Sequence, residues 1–357
     1  MKRQSARYTR QTGLDGFGVP GQAKLADARI LVVGLGGLGI PVVQYLNAMG
    51  VGTLGLVEND IVELHNLQRQ VLYTEKDVGR PKLDVVMERL SQQNSETELV
   101  PYDTFLTTDN ALEIISSFDV IVDATDNFPT RYLINDASVL CDKPFVYGAL
   151  HGFEGQVSVF NYQNGPTYRC VFPDPPKPTE IPNCDENGVL GILPGIIGSL
   201  QALEVVKIVS GIGDVLNGEL LLYDGLYQQT RKIALKEARG RKKVVALAKD
   251  YGHPSCDVLG IISSKAFLKL RGPRQVIDVR TPKEFEAHHL NGAINVPLDE
   301  MEQSAHQLRP EVPIYLICQS GKRSALAVTI LQKQLPGYKI YSVAGGMNEI
   351  DMPCHLK

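Results

Sequence analysis

A cysteine that ends an apolar strand and opens a Gly-containing turn is placed for sulfur chemistry, and Cys318-Gln-Ser-Gly-Lys-Arg323-Ser324 has that form. It follows the run Ile314-Tyr-Leu-Ile-Cys318 and precedes a helical stretch over residues 325–334. Backbone N–H groups at such a turn, together with a helix N-terminus, stabilise an anionic sulfur. Arg323 can add positive charge across the loop.

A second constellation lies near the other end of the chain. Gly34-Leu-Gly-Gly-Leu-Gly39 follows the strand-like run Arg29-Ile-Leu-Val-Val-Gly34 and opens a helix. Its glycines Gly34, Gly36, Gly37 and Gly39 let backbone N–H groups approach phosphate oxygens, and Glu58, at the end of the next strand, can hold a ribose hydroxyl. The turn alone fits NAD or FAD. The residues downstream direct it to ATP: Asp60, Asn66, Arg69 and Lys82 follow, then Asp126 beyond the strand over residues 119–124. Arg69 and Lys82 suit the two terminal phosphates, and Asp126 suits Mg²⁺ at the crevice above the strand ends. Taken singly, the two cations could be solvated surface charge and Asp126 a helix N-cap.

The elements that must position these groups are α/β. Runs at residues 29–34, 53–58 and 119–124 read as buried strands separated by helices, which implies a parallel sheet covered on both faces. A second strand-and-helix series begins near residue 258, with strands Gln275-Val-Ile-Asp-Val279 and Ile314-Tyr-Leu-Ile-Cys318. The expected organisation is a first domain over residues 1–235, a Lys/Arg-rich linker over 236–257, and a smaller α/β domain over 258–357.

The 357 residues suffice for two packed cores, and a net charge of -4 gives no basic face for nucleic acid. The first thirty residues lack an apolar signal core. The weakly polar stretch over residues 189–203 is broken by Pro194 and glycines; it reads as a buried helix too short for a bilayer. Six cysteines without close pairing read as cytosolic thiols, so a cytoplasmic protein with no membrane partner is expected.

The motifs Tyr8-Thr-Arg-Gln11, Gly34–Gly39, Asn66-Leu-Gln-Arg-Gln70, Gly79-Arg-Pro-Lys82 and Ala124-Thr-Asp-Asn127 resemble, in order and spacing, the series of the MoeB/ThiF family. These proteins are prokaryotic relatives of ubiquitin-activating enzymes, and the resemblance spans residues 5–235. It implies a Rossmann-like doubly wound sheet that adenylates the C-terminal Gly-Gly of a small ubiquitin-like sulfur carrier. By it, Arg69 and Lys82 contact phosphates, Asp126 organises Mg²⁺, Glu58 holds the ribose, and Asp60 and Asn66 line the site. Arg10 reaches the nucleotide of the other subunit of a homodimer. The residue types agree, because the attacking group is the substrate's own carboxylate. The protein need only hold two anions in line and stabilise developing charge.

Cys184 ends the Pro-rich run Phe172-Pro-Asp-Pro-Pro-Lys-Pro-Thr-Glu-Ile-Pro-Asn-Cys184. In the family a cysteine here can attack the acyl adenylate or share a disulfide with the carrier's thiocarboxylate. The family also carries two Cys-x-x-Cys pairs for structural zinc. Here they read Thr167-Tyr-Arg-Cys170 and His253-Pro-Ser-Cys256, leaving Cys170, His253 and Cys256 where four ligands are needed. The expectation is a site without zinc and a linker held by packing alone.

Residues 258–350 resemble a rhodanese domain: Val276-Ile-Asp-Val-Arg280 with Glu284-Phe285, then His289-Leu-Asn-Gly-Ala-Ile-Asn-Val-Pro297, the Cys318 loop, and Val343-Ala-Gly-Gly-Met347. By that resemblance Cys318 carries a persulfide. Rhodanese-like phosphatases have one more residue between Cys and Arg, so the interval from Cys318 to Arg323 argues for sulfur. His288 and His289 are expected to be structural.

The two resemblances together describe fused proteins that serve molybdopterin, thiamin, tRNA thiolation or sulfur-containing metabolites, with a cysteine desulfurase as the natural sulfur donor. Two other classes remain at this point. One is a Rossmann oxidoreductase with a regulatory rhodanese module; the other is a sulfur-relay scaffold that has lost adenylation.

Overall fold

The computed structural model describes residues 6–175, 188–235, 244–249, 251, 260–270, 272–305, 308–309, 312–335 and 338–350. The chain divides into two compact units, Met1–Cys256 and Asp257–Lys357.

Among the described residues, the first unit is built on an eight-stranded sheet. Its strands are β1 (Arg29–Val33), β2 (Thr53–Glu58), β3 (Glu98–Asp103), β4 (Val120–Asp123), β5 (Phe145–His151), β6 (Glu154–Phe160), β7 (Glu219–Asp224) and β8 (Gln229–Ala234). The order is β3-β2-β1-β4-β5-β6-β7-β8. The neighbours from β3 to β5 are parallel, as in a doubly wound sheet, whereas β6, β7 and β8 add an antiparallel meander that the repeated strand–helix pattern did not announce.

Alternation along a strand sends successive side chains to opposite faces. Ile30 and Val32 of β1 therefore enter one core with Ile40, Leu46, Ile197 and Val205, while Leu31 and Val33 enter the other with Tyr132, Ile134 and Phe118. The helices that cover these faces are α1 (Gly39–Ala48), α2 (Lys82–Gln93), α3 (Phe128–Leu140) and α4 (Ile192–Ser210).

Helix α4 is longer than the expected stretch. At 19 residues it is long and apolar enough to cross a membrane by length and composition. Half of its apolar window is buried inside the unit, and its polar side chains are used there. Gln201 donates to the carbonyl of Asp123 at 2.7 Å, and Glu204 accepts the Leu216 N–H at 2.9 Å. Those bonds identify it as a core helix of this fold.

The linker also differs from expectation. Leu247 and Tyr251 pack on the first unit, but Tyr251 in addition donates its hydroxyl to Asp136 at 2.7 Å. Packing alone does not hold it.

In the second unit the described strands are β9 (Gly260–Ser263), β10 (Gln275–Asp278), β11 (Ile294–Asn295), β12 (Ile314–Ile317) and β13 (Ile340–Ala344), all parallel in the order β11-β10-β12-β13-β9. Ile314 and Leu316 of β12 pack on Val328 and Leu331 of the following helix α5 (Lys322–Gln334). Tyr315 and Ile317 face Phe267, Val343 and Met347 on the other side. The reactive loop thus hangs between a central strand and a helix, each fixed by its own core.

Candidate functional site

The first site lies at the carboxyl ends of β1, β2 and β4. Gly34 has φ +95°, and a Cβ there would stand 2.8 Å from the carbonyl oxygen of Ala124; one on Gly39 would stand 1.9 Å from the carbonyl oxygen of Gly34. Only glycine permits this turn and the tight seating of α1 on it. By contrast, a Cβ on Gly36 would meet nothing closer than Gln70 Nε2 at 3.5 Å, which leaves that face of the turn for a ligand.

Both backbone groups of Leu35, inside the turn, are held. Glu58 accepts its N–H at 2.8 Å, and Tyr73 donates to its carbonyl at 2.8 Å. Burial raises the Tyr73 hydroxyl above its ordinary range, so it remains a donor. Glu58 also accepts the N–H groups of Asn59 and Asp60, at 2.9 and 3.1 Å. The carboxylate expected at a ribose therefore also braces the phosphate turn.

The cations converge on the same place. The side chain of Lys82 is 6% exposed at the start of α2, and its Nζ meets Asp60 Oδ2 at 2.5 Å. An ammonium at a helix N-terminus is opposed by the helix dipole. Asp60 offsets that here, and a phosphate would do so further. Arg69 lies over the turn, with its Cγ 3.6 Å from where a Gly37 Cβ would be, and donates to the His65 carbonyl at 3.1 Å. Asn66 is buried and accepts the Glu63 N–H at 3.1 Å, closing a short 3-10 turn, Leu64–Asn66, that sets the direction of Arg69.

Asp126 is exposed just beyond β4. The cap of α3 belongs to its neighbour Asn127, which accepts the Thr130 N–H at 2.9 Å. The helix cap that the sequence allowed for Asp126 is thus made by Asn127. Below it, Asp123 and Arg131 form a buried pair at 3.1 Å, and Arg131 also donates to the Thr125 carbonyl at 2.9 Å. Burial opposes the Arg131 charge, but Asp123 outweighs it and the guanidinium stays protonated. The pair stiffens the loop that carries Asp126.

Other expected residues are not gathered here. Arg10 is exposed on the helix Thr9–Thr12, and among the described residues its guanidinium has no hydrogen bond or ion pair. Cys184, His253 and Cys256 lie outside the described residues. Cys170 accepts the Thr167 N–H at 3.3 Å within the short helix Tyr168–Val171, a local capping arrangement, and Thr167 stands where a second sulfur would be needed. Among the described residues, no group of three or more His, Cys, Asp or Glu could hold a metal ion.

The second site is the Cys318 loop. Cys318 is fully buried at the end of β12, and its Sγ accepts the Gly321 N–H at 3.1 Å, with the Ser324 hydroxyl at 3.5 Å. Ser324 in turn bonds Ser342 of β13 at 2.8 Å. The Gly345-Gly346-Met347 turn supports the loop from beneath, where Met347 N–H meets the Cys318 carbonyl at 2.9 Å. His289 stacks on Phe285 with ring centroids 3.9 Å apart and faces the Phe285 carbonyl, a structural placement.

Arg323 has a partner that the sequence reading did not name. Its guanidinium makes two bonds to Glu284, at 2.7 and 2.8 Å, which hold it beside the loop. Glu284 lies 39 residues away in sequence, on the helix Pro282–Ala287, and was legible only as part of a motif. Its carboxyl is lowered from 4.5 to about 2, chiefly by Arg323 and then by Thr281. A depressed carboxyl contributes stability above its unfolded value and loses it as pH falls through the folded one. Glu284→Gln is therefore expected to lower the stability of the second unit above pH 4.5 and to converge with wild type as pH approaches about 2. Denaturant titrations across that window would show it; a constant difference throughout would contradict it.

Sequence reasoning missed Tyr73, Asn127, the Asp123–Arg131 pair and Gln70, a buried side chain beside the glycine turn whose Oε1 has no partner among the described residues. Gln70 and Asn127 stood in the sequence only as ends of motifs, with no role given to them, and Tyr73 showed only its closeness to Arg69.

Comparison with known proteins gives the family of each unit. The ThiF family matches residues 8–244, and the rhodanese-like domain matches residues 264–352. "Adenylyltransferase and sulfurtransferase MOCS3" of Sus scrofa is 40% identical over 382 residues, covering 96% of this chain and 84% of that protein. The protein of the same name from Mus musculus is 38% identical over 385 residues, with the same coverage of 96% and 84%. Among solved structures, E. coli MccB with ATP has a TM-score of 0.56 at 21% identity over 66% of this chain and 73% of that one, a likeness of fold. The chain belongs to the ThiF family, and a rhodanese-like domain follows its ThiF region.

Proposed function

We propose that this chain is an adenylyltransferase and sulfurtransferase that uses ATP to activate the C-terminal Gly-Gly of a ubiquitin-like sulfur carrier and then converts it to a thiocarboxylate. The observation that carries the reading is the continuous polar path from the glycine turn to a buried cation: Leu35 N–H to Glu58, Glu58 to the Asp60 N–H, and Asp60 to Lys82. A redox dinucleotide has no γ-phosphate to use a lysine there.

The carrier's carboxylate oxygen attacks the α-phosphorus of ATP and pyrophosphate leaves. Arg69 and Lys82 hold the phosphates and stabilise that charge, and Glu58 holds the ribose. Asp126 would hold Mg²⁺, which would supply further neutralisation of the phosphates. Arg10, exposed on its helix, completes the site from the partner subunit of a homodimer. The terminal sulfur of a Cys318 persulfide then attacks the acyl carbon and AMP leaves, giving an acyl disulfide. Attack by the Cys184 thiolate on Cys318 Sγ releases the thiocarboxylate and forms a Cys184–Cys318 disulfide, which a cellular dithiol reduces. A cysteine desulfurase loads the persulfide.

This thiol chemistry needs a reducing compartment, and we place the protein in the cytoplasm. With Thr167 in place of a cysteine, we also assign it no structural zinc.

Exchange of labelled pyrophosphate into ATP tests the central claim. It should require a carrier ending in Gly-Gly and vanish when the terminal glycine is deleted. Full exchange without any carrier, or NAD(P)H binding with no use of ATP, would overturn it.

A further inference from the structure

Asp136 lies on α3, is 4% exposed, and is a heavily bonded carboxylate that the adenylation chemistry leaves unexplained. Its Oδ1 accepts Arg169 Nε at 2.7 Å and Asn135 Nδ2 at 2.7 Å. Its Oδ2 accepts Arg169 Nη2 at 2.8 Å and the Tyr251 hydroxyl at 2.7 Å. Four donors occupy the acceptor sites of one carboxylate.

The donors come from different parts of the chain. Arg169 belongs to the segment that continues to Cys184, and the same corner fixes the end of that segment as described. Arg169 Nη1 donates to the Pro173 carbonyl at 3.1 Å, and the Tyr132 hydroxyl donates to the carbonyls of Phe172 and Asp174 at 3.1 and 2.8 Å. The Arg169 guanidinium lies 4.7 Å above the Tyr132 ring. Tyr251 belongs to the linker that continues to the rhodanese-like unit, and its oxygen also accepts the Ala248 N–H at 3.1 Å, a bond that shapes the linker around the anchoring hydroxyl. Burial, reinforced by Asp136, raises the Tyr251 hydroxyl above its ordinary range. It therefore stays a donor at any working pH.

We infer that Asp136 and Tyr251 are positioning residues for sulfur transfer: one buried carboxylate fixes, on the first unit, the departure points of both sulfur-bearing parts of the chain. The inference rests on the proposed function. Its physical content is effective concentration. The corner sets where the chain leaves the described part of the first unit, and a departure point that is no longer held places the groups beyond it less favourably. Neither residue is among the groups assigned above to ATP, carrier or sulfur, so loss of the clamp should leave the separate chemistries intact and impair only their coupling.

The experiment uses the full chain carrying Tyr251→Phe, which removes a single hydroxyl and keeps the ring packed, and Asp136→Asn as a stronger variant. Three quantities are measured: carrier-dependent ATP–pyrophosphate exchange, persulfide loading of Cys318 by intact mass, and single-turnover conversion of acyl adenylate to thiocarboxylate. The expected result is unchanged exchange, carrier KM and loading, with transfer slowed about five- to fiftyfold. Transfer at the wild-type rate in Tyr251→Phe overturns the inference. So does a parallel fall of exchange and transfer in that variant, which would show that the hydroxyl merely supports the adenylation fold. Should Asp136→Asn fail to fold, Tyr251→Phe alone decides. Wild-type protein without carrier-dependent exchange would instead overturn the enzymatic reading on which the inference stands, before any variant is compared.

Discussion

Cys318→Ala should leave carrier-dependent ATP–pyrophosphate exchange at the wild-type rate and reduce thiocarboxylate formation by at least about a thousandfold, the scale seen when a covalent nucleophile is removed. The two activities separate because they sit in different units with separate cores, and the exchange reaction ends before sulfur is needed. The thiol is fully buried and faces the Gly321 N–H, so replacing it with a methyl removes the sulfur while the strand and α5 keep their packing. Intact mass of the carrier is the measurement, since a thiocarboxylate differs from a carboxylate by the exchange of oxygen for sulfur. Residual thiocarboxylate at more than a few per cent of the wild-type yield would show that sulfur reaches the adenylate by another route, with Cys184 the first residue to examine.

Lys82→Met makes the complementary change. Exchange should fall about a hundred- to a thousandfold, the effect of removing one preorganised donor from a developing anion, while Cys318 loads with persulfide as before. Methionine keeps most of the volume of the buried stem, so the loss is one of charge. Asp60 is left without its ammonium partner, but its side chain is 53% exposed and solvent can take over. The fold should therefore tolerate the change, and a Tm close to wild type together with lost exchange would identify Lys82 as a phosphate ligand. If exchange persists within a few-fold, the lysine belongs to the Asp60 pair alone and the phosphates are held elsewhere.

What could be read from the chain without its structure was what neighbouring residues decide among themselves. The strand over residues 29–33, the glycine turn after it and the strand-to-helix loop at Cys318 are each set by local pattern: a buried β-run, a backbone that only glycine allows, a helix start. The sites appeared where these patterns meet residue types with matching chemistry, and the order of motifs supplied the family. Contacts between distant segments were closed to that reading. The Glu284–Arg323 bonds span 39 residues and give the loop's arginine a partner that no local pattern names. Tyr251 reaches Asp136 across 115 residues, turning a linker expected to rest on packing into a hydrogen-bonded one. The antiparallel strands β6, β7 and β8 and the full length of α4 were likewise decided by the rest of the first unit, through ladder pairing for the strands and burial for the helix. Local sequence sets backbone geometry and the inventory of charges; which charge is compensated, and which segment is tied down, depends on what folding brings beside it.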